Sequence, residues 1–264
     1  HVEFKWEGDE ENGIITGIEP RVNYIVRRSI NLSKAAHIIA SNIDRLYIVA
    51  SIMLPRTSTG FIDRLLVTAE AYHIPAALVF NKTDIYTGEA MDRCNELMQL
   101  YSSLGYPSYA VSALKGDGID KLRDVLTDKV NLFSGHSGVG KSALINALDP
   151  MLALKTGDIS SYHNKGMHTT TFAEMHPLSF GGYMIDTPGI KEFGLVHFES
   201  QEISERFPEF RALLPHCRYN NCTHNHEPGC AVKKARDEGH ISAERYHNYL
   251  GLLNDENLDA TDYA

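Results

Sequence analysis

The segment Gly135-His136-Ser137-Gly138-Val139-Gly140-Lys141-Ser142 sets glycines, a lysine and a hydroxyl at the spacing of a phosphate-binding loop. Its glycines let backbone N–H groups turn inward around a β-phosphate. Lys141 places a point charge on the β- and γ-phosphates, and Ser142 offers its hydroxyl to Mg²⁺. Ala143 follows within the same expected contact region. Alone, the motif is also readable as a glycine-rich turn that only caps a helix. Partner motifs elsewhere in the chain argue against that.

Asn81-Lys82-Thr83-Asp84 ends an apolar run and supplies a carboxylate that can read a base. Asp84 can accept hydrogen bonds from the N1–H and 2-amino group of guanine, a pattern adenine does not offer. A lost paired contact leaves buried polar groups unmatched, so discrimination can be large. Asn81 would tie this segment to the phosphate loop, and the Lys82 stem would lie over the base. Ser112-Ala113-Leu114-Lys115 follows another apolar run, where the Ala113 N–H could meet guanine O6. The order is unusual. In an ordinary guanine-nucleotide protein the phosphate loop comes first, whereas here it follows the base-reading tetrad.

Asp186-Thr187-Pro188-Gly189 comes after the apolar run from Tyr183 to Ile185. Asp186 can reach Mg²⁺ through water and the Gly189 N–H can meet a γ-phosphate. Between this motif and the phosphate loop lies His168-Thr169-Thr170-Thr171. A threonine there can ligate Mg²⁺ only when the γ-phosphate is present, which makes the segment an order–disorder switch. Spacing does not choose among the three threonines, and the metal role is assigned to Thr170. Ile190 stands where Ras-like proteins carry the glutamine that orients water.

These residues need elements to hold them. From about Asp44 the pattern alternates strands and helices, which predicts an α/β domain with a mostly parallel sheet and helices on both faces. Strands are expected at Leu46 to Ala50, Ala76 to Phe80, Ser108 to Val111, Val130 to Phe133 and Tyr183 to Ile185, with a further one near Phe172 to Leu178. Helices are expected at Phe61 to His73, Glu89 to Leu104, Ile119 to Thr127 and Lys141 to Leu148. Before them Val2, Phe4 and Trp6 alternate with polar residues, and Ile14 to Ile18 and Asn23 to Arg28 read as two more strands. The chain opens on His1, and three strands are too few for a closed barrel, so a partial barrel is expected. After Gly194 the pattern turns helical, at Glu202 to Leu214, Ala231 to Glu238 and Ala243 to Leu252.

Three of the four cysteines fall in that last unit, as Cys217, Cys222 and Cys230, with His224 among them. Three thiolates and an imidazole make a closed tetrahedral zinc site. The rival reading as a disulfide leaves one cysteine over. His216 and His226 are rival ligands. Cys94 reads as a buried small hydrophobe on a helix. The 264 residues are 43% hydrophobic and carry a net charge of −9, which argues against indiscriminate nucleic-acid binding by bulk charge. No run approaches the about 20 apolar residues that cross a bilayer. The expected location is the cytoplasm, with no membrane and no DNA partner, as a monomer.

The permuted order, the segment from His168 to Thr171 with Asp186-Thr187-Pro188-Gly189-Ile190, and the run from Cys217 to Cys230 ending in Glu227-Pro228-Gly229-Cys230 together carry a resemblance. The chain resembles the circularly permuted GTPases of the RsgA/YjeQ family, which act in assembly of the bacterial small ribosomal subunit. The resemblance covers nearly the whole chain. It implies a partial OB-like β unit over 1–33, a permuted GTPase domain over 34–194 and a helical zinc-binding domain over 195–264. It fixes the zinc ligands as Cys217, Cys222, His224 and Cys230, and it maps the family's proposed catalytic histidine to His168, with Lys141 beside the phosphates. It implies GTP and GDP, Mg²⁺ and one structural Zn²⁺ as cofactors, and the small subunit with its rRNA as partner. A reading from another class is a nucleotide-gated RNA- or protein-binding module in which hydrolysis is incidental. The permutation also has a mechanical consequence. Gly189 is followed almost at once by the cysteine-bearing unit, so movement of the switch would pull on that unit as a lever.

Asp84→Asn should turn selectivity toward xanthine nucleotides, because an amide can donate to the carbonyl that replaces the 2-amino group. Binding of GTP, XTP and ATP to both proteins checks it. A wild type that holds ATP as tightly as GTP would remove the base-reading assignment.

Overall fold

The computed structural model describes residues 2–7, 12–28, 36–154, 173–186 and 200–254. At its centre is a six-stranded sheet in the order β7-β6-β5-β8-β10-β9. Its strands are β5 (Arg45–Ala50), β6 (Ala76–Phe80), β7 (Ser108–Ala110), β8 (Val130–Ser134), β9 (Glu174–Pro177) and β10 (Tyr183–Asp186). All neighbours run parallel except β9, which pairs antiparallel with β10. The expected strand near 172–178 is therefore an antiparallel edge. An edge is where Pro177 fits, since proline has no N–H to give a second neighbour.

Alternation along the strands sends side chains to two cores. Leu46, Ile48 and Ala50 of β5 face one side with α1 (Thr59–Ala71) and α2 (Glu89–Ser103). Tyr47 and Val49 face the other with α3 (Ile119–Leu126) and α4 (Lys141–Leu148). This period of two, repeated in β6, is why β5 and β6 read as near-continuous apolar runs. Cys94 is buried in the first core, where burial pushes its thiol up to about 11 and leaves it inert.

Two antiparallel pairs precede the sheet: β1 (Val2–Glu7) with β2 (Asn12–Ile18), and β3 (Tyr24–Arg28) with β4 (Ala36–Ser41). The fourth strand is a correction to the three expected from sequence, and a boundary at 33–34 would run between paired strands. Ile25 and Ala40 from this second pair join the first core, and the Asn23 side chain bonds both backbone groups of Ile43.

The helix expected over 202–214 is two short ones, α5 (Ser200–Glu205) and α6 (Pro208–Arg211). Pro208 is the reason. It starts a helix readily but cannot continue one, and it drives Phe207 into extended backbone. With α7 (Ala231–Asp237) and α8 (Ala243–Leu253), these helices bury Phe207, Phe210, Val232, Tyr246 and Tyr249 in a third core.

α1 belongs to both the sheet and this third unit. Ser58 caps it by accepting from Phe61 N at 3.2 Å, and its Val67 lies in the third core. On the same helix Asp63 is fully buried and meets Arg245 of α8 at 2.5 Å, with Asn248 donating at 2.6 Å and Tyr101 at 2.8 Å. Arg245 also grips Glu209 through two nitrogens at 2.8 and 3.0 Å. Burial opposes the Arg245 cation, but Asp63 and Glu209 outweigh it and hold its pKa well above the ordinary value. Burial likewise raises the Asp63 carboxyl against three donors. With both of its oxygens accepting hydrogen bonds, the ionised pair is the state this geometry serves.

Arg245→Met keeps an apolar stem and strands two buried carboxylates. The expected loss is about 3–5 kcal/mol in urea unfolding, with part of it recovered when Asp63→Asn is added. Unchanged stability of the single variant would show that the pair does not join the third unit to the sheet.

Candidate functional site

Four of the motifs open on one edge of the sheet because the strands before them run parallel. Asn81 follows β6, Ser112 lies two residues past β7, Gly135 follows β8 and Asp186 ends β10. β5 and β8 are neighbours at the centre, yet the helices after them pack on opposite faces. Such a reversal leaves a crevice at the carboxyl ends of the strands, which is where open α/β sheets bind ligands.

The Asn81 amide joins the two halves of that crevice. Its Nδ2 donates to the Val139 carbonyl of the phosphate loop at 3.0 Å, and its Oδ1 accepts from Ala113 N at 3.1 Å. The expected tie to the phosphate loop is present. The Ala113 N–H, the expected partner of guanine O6, donates to Asn81 Oδ1 in this structure. Ser112 Oγ donates to Asp84 Oδ1 at 2.6 Å and accepts from Lys115 N at 3.0 Å, so the hydroxyl fixes the Asp84 carboxylate. Leu114 is exposed beside it. Lys82 is left-handed at φ 67°, and its Nζ donates to the Leu54 carbonyl. Burial lowers its pKa, while Asp84 works in the opposite direction.

In the phosphate loop two glycines are required by their surroundings. A Cβ on Gly135 would lie 2.3 Å from the Val49 carbonyl oxygen, and one on Gly140, at φ 90°, would lie 2.6 Å from Asn81 Nδ2. Val139 is buried between them, while Ser137 and Gly138 are exposed. Lys141 Nζ donates to the carbonyls of Gly135 and His136 at 2.6 and 2.9 Å. Burial lowers its pKa, and the Asp186 carboxylate acts against that. Asp186 therefore lies within electrostatic reach of the Lys141 ammonium. Ser142 and Ala143 occupy the first turn of α4, behind Lys141. His136 stacks on Phe61 with centroids 3.7 Å apart, which gives it a packing role. The switch residues His168, Thr169, Thr170 and Thr171, together with Thr187, Gly189 and Ile190, lie outside the described residues.

Cys217, Cys222, His224 and Cys230 come together with their ligand atoms all within 4.8 Å of one another. His224 presents Nδ1, 3.3 Å from Cys230 Sγ and 3.6 Å from Cys217 Sγ. A tetrahedron with Zn–S near 2.3 Å and Zn–N near 2.0 Å has edges of about 3.5 Å, so these atoms fit zinc. His216 and His226 are exposed and stand outside the cluster. Burial raises the Cys230 thiol and pushes that of Cys222 up to about 12, so a cation is what would hold them as thiolates. The loop that presents His224 is shaped by Glu227. Against its burial, hydrogen bonds from Thr223 N, Thr223 Oγ1 and Asn225 N, at 2.8, 2.7 and 3.1 Å, hold this carboxyl down at about 2. Tyr246 and Tyr249 of α8 donate to the carbonyls of His224 and Thr223, each at 2.6 Å.

A sequence model of the family described as RsgA GTPase matches residues 18–196. The chain belongs to the RsgA GTPase family. It is 53% identical over 247 residues to the small ribosomal subunit biogenesis GTPase RsgA of Bacteroides fragilis, covering 94% of this chain and 80% of that protein. The protein of the same name in Flavobacterium psychrophilum is 52% identical over 245 residues, covering 93% and 75%. Among solved structures, YjeQ from Thermotoga maritima aligns with a TM-score of 0.77 at 33% identity, over 96% of this chain and 82% of that one. YloQ, a circularly permuted GTPase, aligns at 0.75 and 27% identity, over 96% and 78%. The chain is thus a permuted GTPase whose reaction uses GTP and Mg²⁺. In this RsgA GTPase the segments that sequence alone left without a role are the loop after β5 and Tyr86, which contact Lys82 and Asn81. The one available signal was that β5 ends on the same sheet edge as the motifs.

Metal analysis of the purified protein should return about one zinc per chain. Cys222→Ser should lower the unfolding midpoint of the third unit while GDP affinity holds, because the ligands lie away from the sheet edge. A fully folded, metal-free wild type would contradict the assignment.

Proposed function

We propose that this protein hydrolyses GTP as a timed step in maturation of the small ribosomal subunit, binding the subunit and its rRNA and leaving on hydrolysis. The observation that carries the nucleotide half is the Asn81 amide, which aligns the phosphate loop and the base-reading loops in one frame. The ribosomal half rests on relatives 53% and 52% identical that bear that name. Each role derives from position. Gly135 to Ala143 surround the phosphates, with Lys141 neutralising charge that develops during phosphoryl transfer. Asp84, backed by Ser112, reads the guanine edge, and Lys82 covers its face. Ser142, Asp186 and Thr170 hold Mg²⁺, and Gly189 meets the γ-phosphate. Zn²⁺ on the cysteine cluster gives the third unit rigidity. With a net charge of −9, any RNA contact is local. Among the described residues no helix is long and apolar enough to cross a membrane, which fits work beside ribosomes in the cytoplasm.

His168 is the proposed catalytic group, because Ile190 occupies the usual glutamine position and the switch threonines come directly after the histidine. Single-turnover hydrolysis with and without saturating small subunits tests both claims. Small subunits, and not large ones, should accelerate the wild type. His168→Ala should lose about 10²-fold of the stimulated rate with GTP affinity nearly unchanged. A rate indifferent to subunits would remove the ribosomal partner, and equal rates for mutant and wild type would remove His168.

A further inference from the structure

Tyr86 lies two residues beyond the base-reading tetrad, and only 5% of its surface is exposed. Its hydroxyl donates to the Asn81 backbone carbonyl, accepts from Ile52 N at 2.8 Å and lies 3.1 Å from Ser51 Oγ. Ser51 Oγ in turn donates to the Met53 carbonyl at 2.5 Å, and the next carbonyl, that of Leu54, receives Lys82 Nζ. A phenol has one proton and a serine hydroxyl one, so with these going to the Asn81 and Met53 carbonyls the Tyr86 hydroxyl donates once and accepts once, from Ile52 N, and the Ser51 oxygen is a close neighbour. Burial raises the pKa of Tyr86, which keeps it protonated as the donor that the Asn81 carbonyl needs.

Two closures result. The Tyr86 backbone N–H bonds Thr83 O at 3.2 Å and ends the short 3-10 turn Thr83–Ile85 that carries Asp84. Because its side chain returns to Asn81, residues 81–86 close on themselves around that carboxylate. The same hydroxyl pins this ring to the loop after β5, which supplies the acceptor for Lys82. A buried polar network of this kind fixes one arrangement, since any displacement strands a donor or acceptor without water.

We infer that Tyr86 is a positioning residue for guanine specificity, holding Asp84 and Lys82 in register through Asn81 and the loop after β5. The inference rests on the base-reading role of Asp84 proposed above. It predicts a change in selectivity as well as in affinity.

Tyr86→Phe removes only the hydroxyl and keeps the buried ring. The probe is the ratio of dissociation constants for inosine diphosphate and GDP, since inosine lacks the 2-amino group that Asp84 reads. Tyr106→Phe is the control. Tyr106 is also buried, 4% exposed, and its hydroxyl bonds Glu70 at 3.1 Å, but it precedes β7 at the opposite edge of the sheet. The expected result is GDP binding weakened by roughly three- to tenfold in Tyr86→Phe, with the inosine-to-guanosine ratio narrowed toward one. The control should lose stability and keep the wild-type ratio. A Tyr86→Phe ratio equal to that of the wild type, or equal narrowing in both variants, would overturn the positioning role and leave the base site standing. A wild type that fails to separate the two nucleotides would overturn the base-reading assignment and this inference with it.

Discussion

The side-chain amide of Asn81 is the joint between the loop at Val139 and the loop at Ala113. It is 1% exposed, so neither end can turn to water if a partner moves away. Its donor holds the phosphate loop and its acceptor holds the loop at Ala113. A shift of either loop would therefore leave a buried polar group unmatched, an error as costly as the contact is useful. The absence of a side chain at Gly140 lets the amide approach, and the Lys141 ammonium then ties the far side of the loop together. The segments at Asn81 and Gly135 are separated along the permuted chain, and this amide brings them together.

A second constraint fixes what the site can move. α1 is buried on the sheet side and on the side of the third unit, where the buried pair Asp63 and Arg245 forms a charged knot with the partly exposed Glu209. Glu244 of α8 adds contacts to Thr59 at 2.7 Å and to Arg93 at 2.5 Å. The third unit, with its cysteine cluster, is thus held to the sheet along α1 and α2, in addition to its covalent link through residues 187–199. A lever driven from that link must carry α1 with it or part a buried ion pair. The loop after β5 leads directly into α1, so the same helix connects the third unit with the base-reading frame.

Much of this was legible from residue order alone. The phosphate loop, the base-reading tetrad and the cysteine cluster are local patterns whose chemistry needs a fixed spacing and one element on each side. The strands β5, β6 and β8 were legible because they are buried on both faces and read as apolar runs. β4 escaped because Ala36–Ser41 shows no strict alternation of apolar and polar residues, although Asn42, left-handed at φ 54°, marks the turn before β5. The single long helix expected over 202–214 failed at Pro208, where local backbone chemistry overrides a continuing helical pattern.

The sequence by itself determined the family and the donor types on offer, because residue types at short spacing survive any detail of packing. Tertiary structure alone decided which of these groups meet and what holds them. Asn81 and Val139 lie 58 positions apart, and Asp63 and Arg245 lie 182 apart. No local pattern marks Asp63 as the partner of a buried arginine, or Tyr86 as the clamp on Asn81. Both roles exist only because the sheet order brings distant segments together away from water, where a polar group must find a partner or be left without one.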